Sequence, residues 1–231
     1  MNTDWINKID YTHVFIQYSI ESAFIASGVA RYKQHINGVI YYSPAMSEPD
    51  YVVEIGKISA EKLLLGQAAE NGYPGKAVFD TDALVMETGE AIYDFENDDF
   101  FEAVQDQFEI SFMDLLIISR LEILPAYRGH DIGKYAIKDL YNNFIGGCGL
   151  MTLKCFPLQL EGGILESDPT SPKWNKYMQY DTMEPDEEKS IYKLLAYYTG
   201  MGFKYVPELS ESLLFLTPAI INHTFDKIKL D

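Results

Sequence analysis

An apolar segment of strand length runs directly into a loop rich in glycine and charge, and this junction constrains the fold more than any other feature. The apolar segment ends at Pro125, and residues 128–134 read Arg-Gly-His-Asp-Ile-Gly-Lys before an amphipathic pattern begins. A strand that feeds a loop opening into a helix aims backbone N–H groups and the positive end of the helix dipole at one point. The junction predicts an α/β structure with a cradle for an anion, and a pyrophosphate would suit it.

The residues after the loop predict an amphipathic helix that ends at Gly146-Gly147. Two loop glycines, Gly129 and Gly133, lack a Cβ and would let a phosphate approach the main chain. Arg128 and Lys134 bracket the cradle with positive charge. A plain strand-to-helix connection in any α/β protein would show the same local pattern, so this alternative stays open. The apolar positions of the helix recur at intervals of three and four residues: Ile132, Ala136, Ile137, Leu140, Tyr141 and Phe144.

Other phosphate-binding and nucleophilic motifs are not supported. A Walker loop needs Ser or Thr after Gly-Lys, because that hydroxyl holds magnesium. The Gly-Lys pairs at 56–57, 75–76 and 133–134 are followed by Ile, Ala and Tyr. The Gly-x-Gly at 147–149 precedes a predicted strand instead of following one, which argues against a dinucleotide fingerprint. No Gly-x-Ser-x-Gly elbow of a serine hydrolase occurs.

Residues 121–134, Leu-Glu-Ile-Leu-Pro-Ala-Tyr-Arg-Gly-His-Asp-Ile-Gly-Lys, resemble the acetyl-coenzyme A binding motif of the GNAT superfamily of N-acetyltransferases. That motif is usually written as Arg or Gln, two residues, Gly, one residue, then Gly or Ala. Arg128 and Gly133 match its first and last positions. Asp131 stands where the family usually has glycine, and this departure puts a carboxylate beside the expected pyrophosphate, although Asp also favours the start of a helix.

A second segment, residues 195–204, is similar to a later GNAT motif in which a helix ends in Tyr, three residues, then Gly-Phe. The helix is also predicted independently, because Ile191, Leu194 and Tyr198 share one face and Glu187-Glu188 stands at its start. The resemblance implies that Tyr198 protonates the departing thiolate of coenzyme A. Alternatively, Tyr198 is a core aromatic whose hydroxyl bonds to a neighbour.

The resemblance implies one GNAT-like domain over 1–231, with an α/β (α+β) fold. Its mixed, mostly antiparallel sheet is flanked by helices, and its two central strands splay where the pantetheine arm of the cofactor inserts. Acetyl-coenzyme A is the implied co-substrate, no metal is implied, and a primary amine attacks the thioester directly. Glu122 and Glu109 are candidate general bases, and each could instead be a solvated strand residue. The implied cofactor-binding residues are Leu121, Ile123, Arg128, Gly129, His130, Asp131, Ile132, Gly133 and Lys134.

The chain has 231 residues and a formal charge of −17. That charge argues against nucleic-acid partners, which need Lys and Arg, and it could steer a cationic amine or simply aid solubility. We expect a small-molecule or peptide amine as substrate and allow for a homodimer. Two rivals remain: a coenzyme A binding relative without catalysis, and an acidic interaction protein that is not an enzyme.

No apolar segment approaches the roughly 20 residues that span a bilayer, so no membrane partner is expected. The first ten residues lack a secretory signal, and two cysteines supply neither a disulfide framework nor a zinc site. A cytoplasmic location is therefore predicted.

The rest of the chain predicts strands separated by short helices. Ser59-Ala60-Glu61 is expected to open a helix that ends near 71–75. A long connection at about 157–186 is expected to be an inserted lid or a peripheral ornament. Its aromatic residues, Trp174, Tyr177 and Tyr180, either line a substrate pocket or pack on the core. The strands are predicted at 12–20, 38–42, 51–57, 108–124, 150–156, 204–206 and 213–217, and a further helix at 81–95.

Overall fold

The computed structural model describes residues 13–23, 28–43, 52–161 and 172–228. Within them, the main sheet has seven strands in the order β1-β2-β3-β6-β7-β9-β8, and every neighbouring pair is antiparallel except β6 and β7, which are parallel. A small hairpin pairs β4 with β5. The strands are β1 Val14–Ser22, β2 Lys33–Tyr42, β3 Val53–Leu63, β4 Tyr93–Asp94, β5 Asp99–Phe100, β6 Asp114–Ile123, β7 Cys148–Lys154, β8 Lys204–Tyr205 and β9 Leu213–Leu216.

Helices cover both faces of the sheet. The described α-helices are α1 Leu65–Glu70, α2 Gly75–Phe79, α3 Ala83–Ile92, α4 Glu102–Phe108, α5 Ile132–Phe144, α6 Pro172–Met178, α7 Glu187–Gly200 and α8 His223–Asp226. In β6, Leu116 and Ile118 pack into the core beneath α5, whereas Leu115 and Ile117 pack into the core formed with α1 to α4. Burial on both faces explains why this strand is almost continuously apolar. The predicted mixed, mostly antiparallel sheet flanked by helices is confirmed.

The two central strands separate part-way along their length. The ladder between β6 and β7 runs from Asp114 opposite Cys148 to Ile118 opposite Leu153, and no pairing follows. β6 nevertheless continues to Ile123 and stays paired with β3. The register with β3 shifts at this point, between Ser59 and Ala60, as at a β-bulge, which bends the strand that carries it. A wedge therefore opens on the β7 side of β6.

Two predicted elements are wrong in place or type. Ser59 to Glu61 lie in β3, not in a helix, and α1 begins at Leu65. The short helix-start pattern is overridden because Ser59 pairs with Asn37 and Glu61 with His35 across the sheet. The strand predicted from Phe108 begins only at Asp114, since Phe108 ends α4 and packs in the core.

The described part of the predicted 157–186 insertion is not a structureless loop. It contains α6 and a 3-10 turn at Tyr180–Thr182, while 162–171 fall outside the described residues. Thr12 and Tyr51, predicted to start strands, and the first ten residues also lie outside them. None of the described helices is both long and apolar enough to cross a bilayer.

Candidate active site

A groove of about 710 Å³ lies where β6 leaves β7. Residues 118–123 of β6 form one wall, and residues 156–159, the start of α3, the end of the insertion and α7 form the others. The wedge in the sheet thus becomes an accessible channel with the exposed edge of a strand along it. Five residues predicted for the site line this groove: Leu121, Glu122, Ile123, Arg128 and Tyr198.

The main chain of β6 presents polar groups to the groove. The Leu124 N–H donates to the Ile55 carbonyl on the β3 side at 2.9 Å. Because successive residues of a strand point their N–H and C=O groups to opposite sides, those of Ile123 and Leu121 point to the groove side. The Ile123 carbonyl already accepts a hydrogen bond there from Arg128 Nε at 2.8 Å. The N–H groups of this edge are positioned to bind an extended ligand.

Tyr198 reaches the groove from α7. Its ring packs edge-on against Tyr197, at 5.2 Å between centroids, and against Phe203 at 6.1 Å. Among the described residues its hydroxyl has no hydrogen-bond partner. Burial, with smaller contributions from Tyr197 and Cys155, raises the pKa of Tyr198 well above its usual value. The hydroxyl therefore stays protonated at neutral pH and can donate into the groove.

Glu122 lines the same groove and belongs to an ionic network. Its side chain is only 4% exposed, and its Oε1 accepts hydrogen bonds from the Tyr180 hydroxyl and, at 3.2 Å, from Arg120 Nη1. Arg120 also pairs with Glu161 through Nη2. Burial alone would lower the pKa of Arg120, but the charges of Glu122 and Glu161 outweigh it and raise that pKa. The network joins β6 to both ends of the insertion.

The structure does not bring the second base candidate, Glu109, into the groove. Glu109 is exposed and caps the C-terminus of α4 in a left-handed conformation with φ 50°. The groove wall on β6 begins only at Ile118, whereas Glu109 precedes the opposite, N-terminal end of that strand. Glu122 is therefore the better placed of the two carboxylates.

The loop at the start of α5 keeps part of the predicted cradle. Asp131 is the N-cap in a left-handed conformation, φ 57°, and its side chain makes no capping hydrogen bond. The Lys134 amide is already engaged, since it donates to the Asp131 carbonyl at 2.9 Å. The amides of Ile132 and Gly133, in the first helical turn, have no intrahelical acceptor and can face an anion.

Charge and backbone conformation in this loop accommodate an aspartate at position 131. Lys134 Nζ lies 2.7 Å from Asp131 Oδ1, so this ammonium offsets the carboxylate that stands beside the cradle. Gly129 has φ 79°, a conformation that favours glycine, and no atom lies within 4 Å of a Cβ built on it.

The Arg128 side chain is engaged by main-chain carbonyls on two sides. Besides the Ile123 carbonyl, its guanidinium binds the Met178 carbonyl at 2.9 Å through Nη2. Burial lowers the pKa of Arg128 from its ordinary value. The side chain that was predicted to bracket the anion thus ties the end of β6 to the end of α6.

Gly133 is needed for packing between helices. A Cβ at this position would lie 2.6 Å from the Tyr197 hydroxyl oxygen and 3.3 Å from Leu121 Cδ2. The missing side chain lets the start of α5 approach α7 and β6, which places the cradle beside the groove. Burial, aided by the charge of Asp131, raises the pKa of Tyr197 to about 12.

The sequence pattern predicts no role in the site for Arg120 and Glu161. For Tyr180 it allows either a place in a substrate pocket or packing on the core. One signal was available. Arg120 and Glu122 are two residues apart in an apolar strand, so they share a face. Their partners lie 41 and 58 residues away and carry no such signal. Tyr180 lines the groove, Trp174 packs under Lys57 at 4.3 Å, and Tyr177 is exposed.

A larger groove of about 950 Å³ lies on the other side of α5, between that helix, β1 and the C-terminal segment. It shares Asp131, Ile132 and Lys134 with the cradle, but neither Tyr198 nor Glu122 lines it. The smaller groove is the candidate active site because Tyr198 and Glu122 line that one. In the described ranges, no group of three or more His, Cys, Asp or Glu side chains is arranged to hold a metal ion.

Comparison with known proteins gives no family assignment. No family model matches the chain, and neither a curated protein nor a solved structure matches it significantly.

Proposed function

We propose that this chain is an acetyl-coenzyme A dependent N-acetyltransferase of the GNAT type that acetylates a primary amine. One observation carries the proposal: β6 separates from β7 immediately before the loop that opens α5, and Tyr198 faces the resulting groove. A strand edge, an anion cradle and a proton donor are thus adjacent. The cytoplasm, predicted from the sequence, is the proposed location.

The cofactor would lie along the free edge of β6. Its pantetheine amides would bond to the main chain of Leu121 and Ile123, which extends the sheet by one strand-like segment. Its pyrophosphate would bind the first amides of α5, at Ile132 and Gly133, where the helix dipole adds attraction. The N–H of Ile123 would polarise the thioester carbonyl, a contribution of about 3 kcal/mol in comparable oxyanion sites.

The reaction needs two proton movements. The neutral amine attacks the thioester carbon, and when the carbon–sulfur bond breaks the thiolate takes a proton from Tyr198. Glu122 accepts the proton that the amine loses, directly or through water. The products are an N-acetyl amide and free coenzyme A thiol. Much of the acceleration would come from alignment of the two reactants.

Cofactor binding is the first prediction. Acetyl-coenzyme A or coenzyme A at 100 times its Kd should stabilise the protein by about 2.7 kcal/mol, which for a chain of this length raises the Tm by roughly 5–10 °C. Thermal unfolding followed by circular dichroism measures this shift, and ATP at the same concentration is the control. An unchanged Tm at millimolar acetyl-coenzyme A would exclude the proposal.

A second prediction tests the base. Glu122→Gln keeps the shape of the side chain but removes the proton acceptor, so kcat should fall about 100- to 10,000-fold with the Kd of acetyl-coenzyme A little changed. The release of coenzyme A thiol, measured with a panel of amines, reports kcat. Glu109→Gln is the matched control, since that exposed carboxylate lies outside the groove. Equal losses in both variants would remove Glu122 from the mechanism.

Two alternative functions are each supported by one observation. Oε1 of Glu122 is already engaged by Tyr180 and Arg120, and this favours a coenzyme A binding relative without catalysis, which would be stabilised by the cofactor but release no thiol with any amine. The charge of −17 favours an acidic interaction protein. Such a protein would ignore coenzyme A and bind a basic partner in a salt-sensitive way.

A further inference from the structure

The edge strand β1 lacks the features that usually prevent edge pairing. It stands at one end of the sheet and, within the described part of the chain, pairs only with β2. Its nine residues stay in regular register from Val14 opposite Tyr42 to Ser22 opposite Gln34, with no bulge. The strand has no proline, no lysine and one charged residue, Glu21. The opposite edge strand, β8, has only two residues. Proteins commonly protect edges by shortness, charge, proline or bulges, so a long regular edge indicates a partner.

Two of the exposed side chains of β1 are large and apolar, one on each face of the strand. Ile20 is 54% exposed and Phe15 is 46% exposed. On the face of the sheet that carries Val14, Ile16 and Tyr18, the strand also borders the 950 Å³ groove beside α5. A strand added to β1 would continue the sheet past this groove.

The sequence of β1 is complementary to itself in an antiparallel pairing. With a two-fold axis at Tyr18, Ile16 lies opposite Ile20 of the second copy, and Gln17 lies opposite Ser19. Because side chains alternate along a strand, Ile16, Tyr18 and Ile20 share one face, and both apolar pairs form there. A two-fold contact requires such self-complementarity.

Charge also favours β1 over the other surfaces of the chain as the contact between two copies. The whole chain carries −17, whereas β1 carries a single negative charge over nine residues. Two acidic molecules repel each other least where they meet through a nearly neutral surface. We propose that two copies of this chain associate through antiparallel pairing of β1 about Tyr18, which makes one continuous sheet across the dimer. β2 and β3 separate β1 from the candidate active groove, so this inference does not depend on the proposed function.

Sedimentation of the full chain over a concentration series tests the dimer. We expect a species of twice 26.3 kDa that dissociates on dilution. Ile20→Lys should weaken association roughly 100-fold, since the two-fold axis repeats the change on both sides. Ile221→Lys is the matched control, because Ile221 is 75% exposed outside β1. A monomer at every concentration, or a dimer that Ile20→Lys leaves intact, would overturn the proposal.

A cross-link tests the register. Directly opposed residues of antiparallel strands have Cα atoms about 4.5–5.5 Å apart, within the range a disulfide spans. Under oxidation, Tyr18→Cys should therefore form a covalent dimer, whereas Ser22→Cys, which would lie opposite Val14, should not. The native thiols, Cys148 and Cys155, are buried. Cross-linking at position 22 but not at 18 would refute the pairing about Tyr18, and so would cross-linking at neither position in a protein that sediments as a dimer.

Discussion

Tyr198→Phe is expected to lower acetyl transfer about 100- to 10,000-fold, the usual contribution of a positioned acid, while the affinity for acetyl-coenzyme A stays nearly the same. The ring would keep its packing against Tyr197 and Phe203, and only the proton donor is lost. The rate of thiol release with a panel of amines gives kcat, and calorimetric titration with coenzyme A gives the Kd.

The pKa of Tyr198 determines how this variant responds to pH. Because burial raises that pKa, the native hydroxyl stays protonated through neutral and mildly alkaline pH, and the ratio of native to variant rate should be constant from pH 7 to about pH 9. Tyr192→Phe is the matched control, since Tyr192 lies on the same helix but is 64% exposed. If Tyr192→Phe lowers kcat as much as Tyr198→Phe, or if Tyr198→Phe loses only affinity, Tyr198 is not the acid.

Local pattern was enough to predict the elements that hold the site. The period of apolar residues predicted α5 and placed Tyr198 on a helix, because amphipathic spacing depends only on neighbours within two turns. The junction of strand, loop and helix was predicted for the same reason. Ser59 to Glu61 were misassigned since their cross-strand partners, Asn37 to His35, lie more than twenty residues away. Long-range pairing decided their structure.

The local sequence pattern cannot predict the hydrogen-bond partners of the side chains in the site. The motif identified Arg128 as a cationic position, but nothing near it in sequence indicates that Met178, fifty residues further on, supplies an acceptor. Glu122 could be proposed as a base, yet its contact with Tyr180 depends on how the insertion folds back. The sequence could predict which residues carry chemistry, whereas their hydrogen-bond partners are set by the tertiary fold.

Gly133→Ala is the other substitution for which we expect a large effect. The added Cβ would lie 2.6 Å from the Tyr197 hydroxyl oxygen, so α5 must move away from α7 or Tyr197 must leave its position. Overpacking of this kind costs about 1–3 kcal/mol, and the displaced cradle should bind coenzyme A at least about tenfold more weakly. Gly133→Glu should abolish binding, because it adds a negative charge beside the proposed pyrophosphate site. Denaturant unfolding and calorimetric titration measure the two effects.

Removing the Tyr197 hydroxyl tests whether its contact with the added Cβ causes these losses. Tyr197→Phe removes the oxygen nearest the added Cβ, while the next Tyr197 atom, Cζ, is 3.7 Å away, an ordinary contact distance. The double variant Gly133→Ala, Tyr197→Phe should therefore recover most of the lost stability and affinity, a coupling that a double-mutant cycle measures directly. Gly146→Ala, just beyond the other end of α5 with no atom within 4 Å of the new Cβ, should leave coenzyme A binding unchanged. If the double variant binds no better than Gly133→Ala alone, the contact with Tyr197 is not what requires glycine, and the phosphate cradle itself becomes the reason.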